Sequence, residues 1–462
     1  MGGRKKCRSC SSRCPHRQKK EKKDAADDSG IYTPSPVPSG PIKEFMVGIA
    51  EGERLLAVSD LTVGGGAIAC RRLCRALRKE GHPIRWLAMK GSSDEDVTSV
   101  QDWPDLKTFL FKRMVNWSNP SPTMVASLDR RHNAASLLGF VKRVKPTLIN
   151  LHNIHDAADF GVVEELVRCA PVVWTLHDLW AVTGGCYYPY ACGVFDDACK
   201  GPCEHPTDYA DGTAAHERER RLSFLKRHAD RMVLVSPSAW LAGVVSKVVG
   251  SNVRVKHVPN SLDRDVFVPL NRKAVRESLG LPVDAQIIAT GATWFSEERK
   301  GGLLLRDAVT RLPPPPGNRE RIVLGIGDTP HGQQNPPGWR FLGRIRDEQL
   351  LNLYYNAADV YVLATLADNL PNTLLESHAA GTPCVAFDTG GCREIVRDGE
   401  TGFLAKHGDV GDLAATIERT LALPEVEQVC FRQACHTWAT SQYSPERQAR
   451  SYRQVFNELI SR

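Results

Sequence analysis

The sequence predicts an α/β chain of two doubly wound domains that face one another across a cleft. Three observations predict it. Short apolar runs alternate with helical patterns in two successive series, a Pro- and Asn-containing break separates the series, and 462 residues suffice for a core in each domain. Alternating strands and helices bury their apolar faces when the strands run parallel and helices cover the sheet. Ligands of such sheets bind outside the carboxyl ends of the strands, so chemistry is sought in the residues that follow each strand.

The first series opens with Leu55–Val58 as a strand and Gly64, Gly65 and Gly66 as the turn into a helix with apolar positions Ile68, Cys70, Leu73, Cys74 and Leu77. Ile84–Met89, Thr147–Leu151, Val172–Leu176 and Met232–Ser236 continue it. The second series runs through Gln286–Thr290, Arg321–Ile326, Trp339–Leu342, Val360–Ala364 and Pro383–Phe387. Between them Val255–Phe267 breaks both patterns and reads as a hinge. The expected organisation is a tail and linker over 1–52, a first domain over 53–262, a second over 263–440, and a closing helix over 441–462 that crosses back to the first domain.

Asp368 and Glu376 stand eight positions apart, one before a helix start and one inside the helix. Pro371 suits the first turn, Asn372 and Thr373 suit the entrance, Leu374, Leu375, His378 and Ala379 keep the helical register, and Gly381 ends it. A free helix N-terminus attracts anions, so the segment suits a phosphorylated ligand lying between the two acids. The spacing alone fits an ordinary capped helix equally well.

Charge is concentrated at one end. Residues 1–23 hold ten Lys or Arg and one Glu, a net of +9 against +7 for the whole chain, which leaves −2 for the remainder. That balance argues against a nucleic-acid surface on the folded part. The basic segment and the stretch Thr33–Pro41, rich in Pro and Ser, read as a disordered arm and linker that could touch an anionic membrane, RNA, or nothing specific. The sequence has no apolar run of membrane-spanning length and no signal-type apolar core, so the expected location is cytoplasmic, with peripheral contact at the membrane face.

Fourteen cysteines without a secretion signal favour thiols or metal ligands over disulfides. Cys186, Cys192, Cys199 and Cys203 sit among Gly184, Gly185, Gly193 and Gly201, which permit the tight turns of a tetrahedral structural zinc site; ordinary thiols and a redox pair stay open. Cys7, Cys10 and Cys14 with His16 offer four possible zinc ligands in a ten-residue span, a thiol-bearing disordered arm being the alternative.

In order along the chain come Gly64-Gly-Gly66, Leu151-His-Asn-Ile-His155, Val172-Val-Trp-Thr-Leu-His-Asp-Leu-Trp180, Val235-Ser-Pro-Ser-Ala-Trp240, His257-Val-Pro-Asn260, Arg299-Lys-Gly301, Phe341-Leu-Gly343 and the stretch from Asp368 to Glu394. Over about residues 54–460 this ordered set resembles the retaining glycosyltransferase family 4 of the GT-B fold, and within it bacterial exopolysaccharide enzymes of the colanic-acid type. The resemblance implies transfer of a sugar from a nucleotide-diphosphate sugar to a lipid-linked or glycan acceptor with retention of configuration, and no cofactor for catalysis. It makes Asp368 the acid beside the donor sugar and Glu376 the acid on the ribose hydroxyls. The amides near Asn372, Thr373 and Leu374 receive the diphosphate, with Lys300 as a cation for it. Arg299 is a weaker second cation, since many relatives carry Arg where this chain has Trp294. His177 is implied over the donor sugar, Gly65 and Gly66 beside the donor phosphates, and His152 and His155 on the acceptor side. A GT-B sugar-nucleotide epimerase and a non-catalytic ligand- or RNA-binding protein remain as alternatives.

Overall fold

The structure, a computed structural model, describes residues 54–91, 93, 95–100, 122–155, 157–188, 192, 199, 213–294, 297–328 and 335–461. Two parallel sheets organise them. The first contains β1 (Leu55–Ser59), β2 (Ile84–Ala88), β3 (Val97–Ser99), β4 (Leu148–Leu151), β5 (Val172–Thr175), β6 (Met232–Ser236) and β7 (Val255–His257), in the order β3-β2-β1-β4-β5-β6-β7. The second contains β8 (Gln286–Trp294), β9 (Arg321–Asp328), β10 (Trp339–Phe341), β11 (Val360–Leu363), β12 (Cys384–Phe387) and β13 (Gly402–Ala405), in the order β10-β9-β8-β11-β12-β13. Each order reverses direction once, between β1 and β4 and between β8 and β11. Those are the switch points at which a parallel sheet leaves a crevice at its carboxyl edge.

Central strands are buried on both faces, as Leu-Leu-Ala-Val-Ser of β1 and Val-Val-Trp-Thr of β5 show by being buried at every position. Helices α1 (Gly65–Lys79), α2 (Pro122–Val144), α3 (Gly161–Cys169), α4 (Ala214–Arg227) and α5 (Ala239–Val249) accompany the first sheet. The second sheet carries α6 (Arg272–Ser278), α7 (Gly302–Thr310), α8 (Glu348–Ala357), α9 (Asn372–Ala379), α10 (Val410–Leu421) and α11 (Glu425–Gln442). The last helix, α12 (Pro445–Ile460), returns to the first domain. Ser444 caps it by accepting from Arg447 N at 3.2 Å, and Pro445 occupies its first turn. Its Tyr452, Val455, Phe456 and Leu459 share one apolar cluster with Cys70, Leu73, Cys74 and Leu77 of α1. Each such side chain, taken from water, stabilises by about 1.5–3 kcal/mol, so α12 clamps the helix that leaves the glycine turn.

Three strands lie outside the sequence expectation: β3, β7 and β13. All three are edge strands. β3 (Val-Thr-Ser) and β7 (Val-Lys-His) are short and partly polar, with no residue of β7 fully buried, and β13 (Gly-Phe-Leu-Ala) is a four-residue run that opens on a glycine. The first residues of the expected hinge, Val255–His257, therefore belong to the first sheet.

A candidate active site between the two sheets

The first wall of the cleft is built at the switch point of the first sheet. β1 leads through Asp60–Gly64 into α1, whose N-terminus has no side-chain cap and no acid in its first turn. Gly66 in that turn lies against His177: a Cβ there would stand 3.4 Å from His177 Cδ2 and from Asn153 Nδ2. His177 follows β5 by two residues and is half-buried. Its Nε2 is 2.9 Å from Nδ1 of His152, and His152 Nε2 is 3.1 Å from Oδ1 of Asn150 on β4. Burial pulls the His177 imidazole down to about 4 despite the nearby Asp178 carboxylate, and it pulls His152 well below its usual range. Both imidazoles are thereby held neutral.

His152 is 1% exposed and has both ring nitrogens committed. It therefore stands behind His177, where it touches that ring and no acceptor could reach it. His155 is placed differently, with Nε2 3.2 Å from Asp178 Oδ2 and its ring against Tyr187 at 4.4 Å between centroids. Tyr188 closes this corner by donating its hydroxyl to His177 O at 3.1 Å.

The second wall carries the charge. After β8 the chain makes a tight helical turn over Glu298–Lys300 and enters α7 through Gly301. Gly301 has φ 66° and its Cβ would fall 1.8 Å from Ala364 O, so only glycine lets this turn press on the end of β11. That contact brings the two cations to Asp368. Lys300 Nζ lies 2.6 Å from Asp368 Oδ2, and Arg299 Nη1 lies 3.7 Å from the same oxygen while donating to Ala367 O at 2.9 Å. Arg299 also stacks on Tyr188, 4.9 Å from the ring centre. Burial alone would raise the Asp368 carboxyl, but Lys300 and Arg299 outweigh it and hold it below the usual range.

Asn372 opens α9, which like α1 has no side-chain cap and no acid in its first turn. Its side chain joins the walls: Nδ2 donates to Gly65 O at 3.1 Å, and Oδ1 accepts from Asn260 Nδ2 at 3.3 Å. Two uncapped helix N-termini, α1 and α9, thus meet from opposite domains. Each carries the equivalent of roughly +0.5 charge, so their apposition favours an anion between them. Thr373 and Leu374 follow in the same turn of α9, with Leu374 N bonded to Pro371 O at 3.1 Å.

Glu376 is deeper in α9 and only 3% exposed. Its Oε1 accepts from Arg72 Nη2 at 2.8 Å and its Oε2 from the Tyr355 hydroxyl at 3.0 Å. Burial raises the Glu376 carboxyl and Arg72 offsets only part of that. Arg72 also reaches Glu348 Oε1 at 2.8 Å. Sequence reasoning passed over Arg72 and placed Ile68 on the buried stripe of α1; the structure leaves Ile68 half-exposed and buries Arg72. The available signal was position: Arg72 stands three residues after Ala69 and four before Ala76, both buried. Glu394 makes a further bridge, its carboxylate accepting from Ala239 N at 2.9 Å and Trp240 N at 2.8 Å at the start of α5.

Residues 63–266 match the family model described as Glycosyltransferase Family 4, and residues 285–422 match Glycosyl transferases group 1. The two matches fall one on each of the two sheets. The GT-B chain is 31% identical over 185 residues to D-inositol 3-phosphate glycosyltransferase 2 of Catenulispora acidiphila, covering 37% of this chain and 43% of the relative. It is 34% identical over 184 residues to D-inositol 3-phosphate glycosyltransferase of Geodermatophilus obscurus, covering 37% and 40%. The match thus spans about two fifths of those relatives' length. Among solved structures, sucrose-phosphate synthase from Thermosynechococcus elongatus superposes with a TM-score of 0.67 at 19% identity, over 89% of this chain and 100% of that one. The Anabaena protein HepE in complex with UDP-glucose superposes with 0.61 at 14% identity, over 88% and 100%. These likenesses establish the GT-B fold.

Among the described residues no group of three or more His, Cys, Asp or Glu could hold a metal ion. Cys186 is buried, and Cys192 and Cys199 are half-buried. Cys203 lies outside the described residues, as do Cys7, Cys10, Cys14, His16 and the basic segment. No helix among the described residues is long and apolar enough to cross a membrane.

Proposed function

We propose that the chain transfers a sugar from a nucleoside diphosphate sugar to a hydroxyl of a lipid-linked or glycan acceptor, with retention of configuration. The meeting of the α1 and α9 N-termini through Asn372 and Gly65 carries this reading, because it supplies an anion site made by both domains where a diphosphate leaving group would gather charge. Lys300 adds a point charge for that diphosphate and Asp368 lies at the sugar end. On this reading the ribose hydroxyls reach Glu376 by exchanging with Arg72, which now occupies Oε1. The bond between the sugar's anomeric carbon and the phosphate oxygen breaks while the acceptor oxygen bonds the same face, and the acceptor proton passes to the departing phosphate. The chain's part is to position both partners, stabilise the leaving diphosphate and keep water out.

The names of the curated relatives favour a second acceptor class, a phosphorylated polyol. Exopolysaccharide synthesis, a cytoplasmic location and peripheral contact of residues 1–23 with anionic lipid belong to the first reading. A structural zinc at the four-cysteine loop would brace the wall beside His177, and metal analysis of the reduced full-length protein tests it.

The test is a melting screen with UDP, ADP and GDP, followed by transfer assays on both acceptor classes. A nucleotide at about 100-fold its Kd should stabilise the fold by about 2.7 kcal/mol. The anomeric configuration of the product, read by NMR, should match that of the donor. Failure of every nucleoside diphosphate to shift the melting, together with no transfer, would overturn the reading; turnover of the sugar nucleotide without any acceptor would favour an epimerase.

A further inference from the structure

Behind His177 runs a chain of hydrogen bonds whose direction is set by its far end. Asn150 Nδ2 lies 3.0 Å from the backbone carbonyl of Val173 and 3.0 Å from Thr175 Oγ1. A backbone carbonyl can only accept, so Nδ2 is the donor there and the opposite atom of the amide, Oδ1, is an acceptor. His152 Nε2, 3.1 Å from that oxygen, must then carry a proton. In a neutral ring the other nitrogen, Nδ1, has the lone pair, and it lies 2.9 Å from His177 Nε2. His177 Nε2 must therefore be the donor.

We propose that Asn150 and His152 are positioning residues that hold His177 as the tautomer with its proton on Nε2, leaving Nδ1 as an acceptor for a hydroxyl of the ligand in the cleft. The ligand half of this inference rests on the transferase reading; the tautomer half rests on geometry alone. Three observations support it. His152 is 1% exposed, Asn150 is fully buried, and burial keeps the His152 ring neutral, so the direction of the chain is not scrambled by water. Among the described residues no hydrogen bond is made to His177 Nδ1. Gly66 lies against the His177 ring at its Cγ and Cδ2, which fixes the ring plane from the other side. The chain continues from Thr175 Oγ1 to the Tyr452 hydroxyl at 2.9 Å, so α12 helps to hold a ring that it does not touch.

A histidine pair that merely fills space would respond to volume, whereas this one should respond to acceptor geometry. His152→Asn retains an acceptor near the position of Nδ1; His152→Leu retains bulk and removes the acceptor. The experiment uses the full chain with histidine-selective ¹⁵N labelling and assigns His177 by its loss in His177→Gln. In the unmodified protein the two-bond couplings of His177 should show the proton on Nε2, and a proton on Nδ1 would overturn the proposal. His152→Leu should lower kcat/KM for the nucleotide sugar on the order of tenfold to hundredfold, and His152→Asn should restore most of that loss together with the Nε2–H pattern. Equal losses in two variants that melt alike would also overturn it. Asn150→Asp gives an independent check: a carboxylate there favours a doubly protonated His152 and should move the His177 proton to Nδ1. Absence of turnover in the unmodified protein would sink the transferase reading, and the spectrum would still decide the tautomer.

Discussion

The two walls of the cleft handle polarity in opposite ways. At the first-domain wall the chain Asn150, His152 and His177 is uncharged, with Asp178 beside it: burial keeps both rings neutral, and a fixed backbone carbonyl sets the direction of their hydrogen bonds. The second-domain wall is made of ions: half-buried Lys300 and Arg299 meet Asp368, and buried Glu376 is paired separately by Arg72 from across the cleft. Neutral dipoles can orient a sugar without disturbing charge, and ions can stabilise a leaving diphosphate that dipoles alone would hold weakly. On the proposed reading, one wall orients and the other stabilises charge.

The largest effect should come from the charged wall. Glu376→Ala removes the buried partner of Arg72 and Tyr355 and leaves the guanidinium only the more exposed Glu348, so stability should fall by about 3 kcal/mol, with donor binding weakened as well. Denaturant unfolding and a nucleoside diphosphate titration measure both. Unchanged values in both would show that the ion pair is not what joins the walls. Next in size is Lys300→Met, which should lower turnover on the order of a hundredfold while leaving His177 in its tautomer. A changed His177 spectrum in that variant would break the separation between the walls.

Acid should expose the same contrast more gently. The two histidines charge near 6.5 in the unfolded chain, whereas His177 resists protonation down to about 4 in the fold. The unfolded state thus binds more protons across that window, and stability should fall as pH falls through it. Asp368, held low by its two cations, adds to the loss only below the usual carboxylate range, while the raised Glu376 works in the opposite sense. Melting from pH 8 to pH 4 should show the slope, and His177→Asn should flatten it above the carboxylate range. An identical slope in the variant would place the sensitivity elsewhere.

Much of this was legible along the chain. The central strands carry unbroken apolar runs because both of their faces are buried, and the expected strands at Leu55, Val172, Met232 and Val360 begin where the observed ones do. The edge strands β3 and β7 were not legible, because three residues that include polar side chains make no such run, and the four-residue run of β13 opens on a glycine. Within the site, Asp368, Glu376, Lys300 and His177 could be singled out by local spacing and by the resemblance it carries. Asn150 could not, and Arg72 only by its place on the buried stripe of α1, since their roles depend on partners 23 and 304 residues away.

By itself, then, the sequence determined which segments become parallel strands, where the helix entrances lie and which acids and cations follow them, since those depend on local periodicity and backbone preference. Only the tertiary structure decided that α1 and α9 present their N-termini to one another, that Arg72 enters the second domain's carboxylate cluster, and that His152 serves His177 instead of facing the cleft. Hydrogen bonds and ion pairs act over about 3 Å, and that distance is set by packing two sheets and their helices, which no stretch of neighbouring residues encodes.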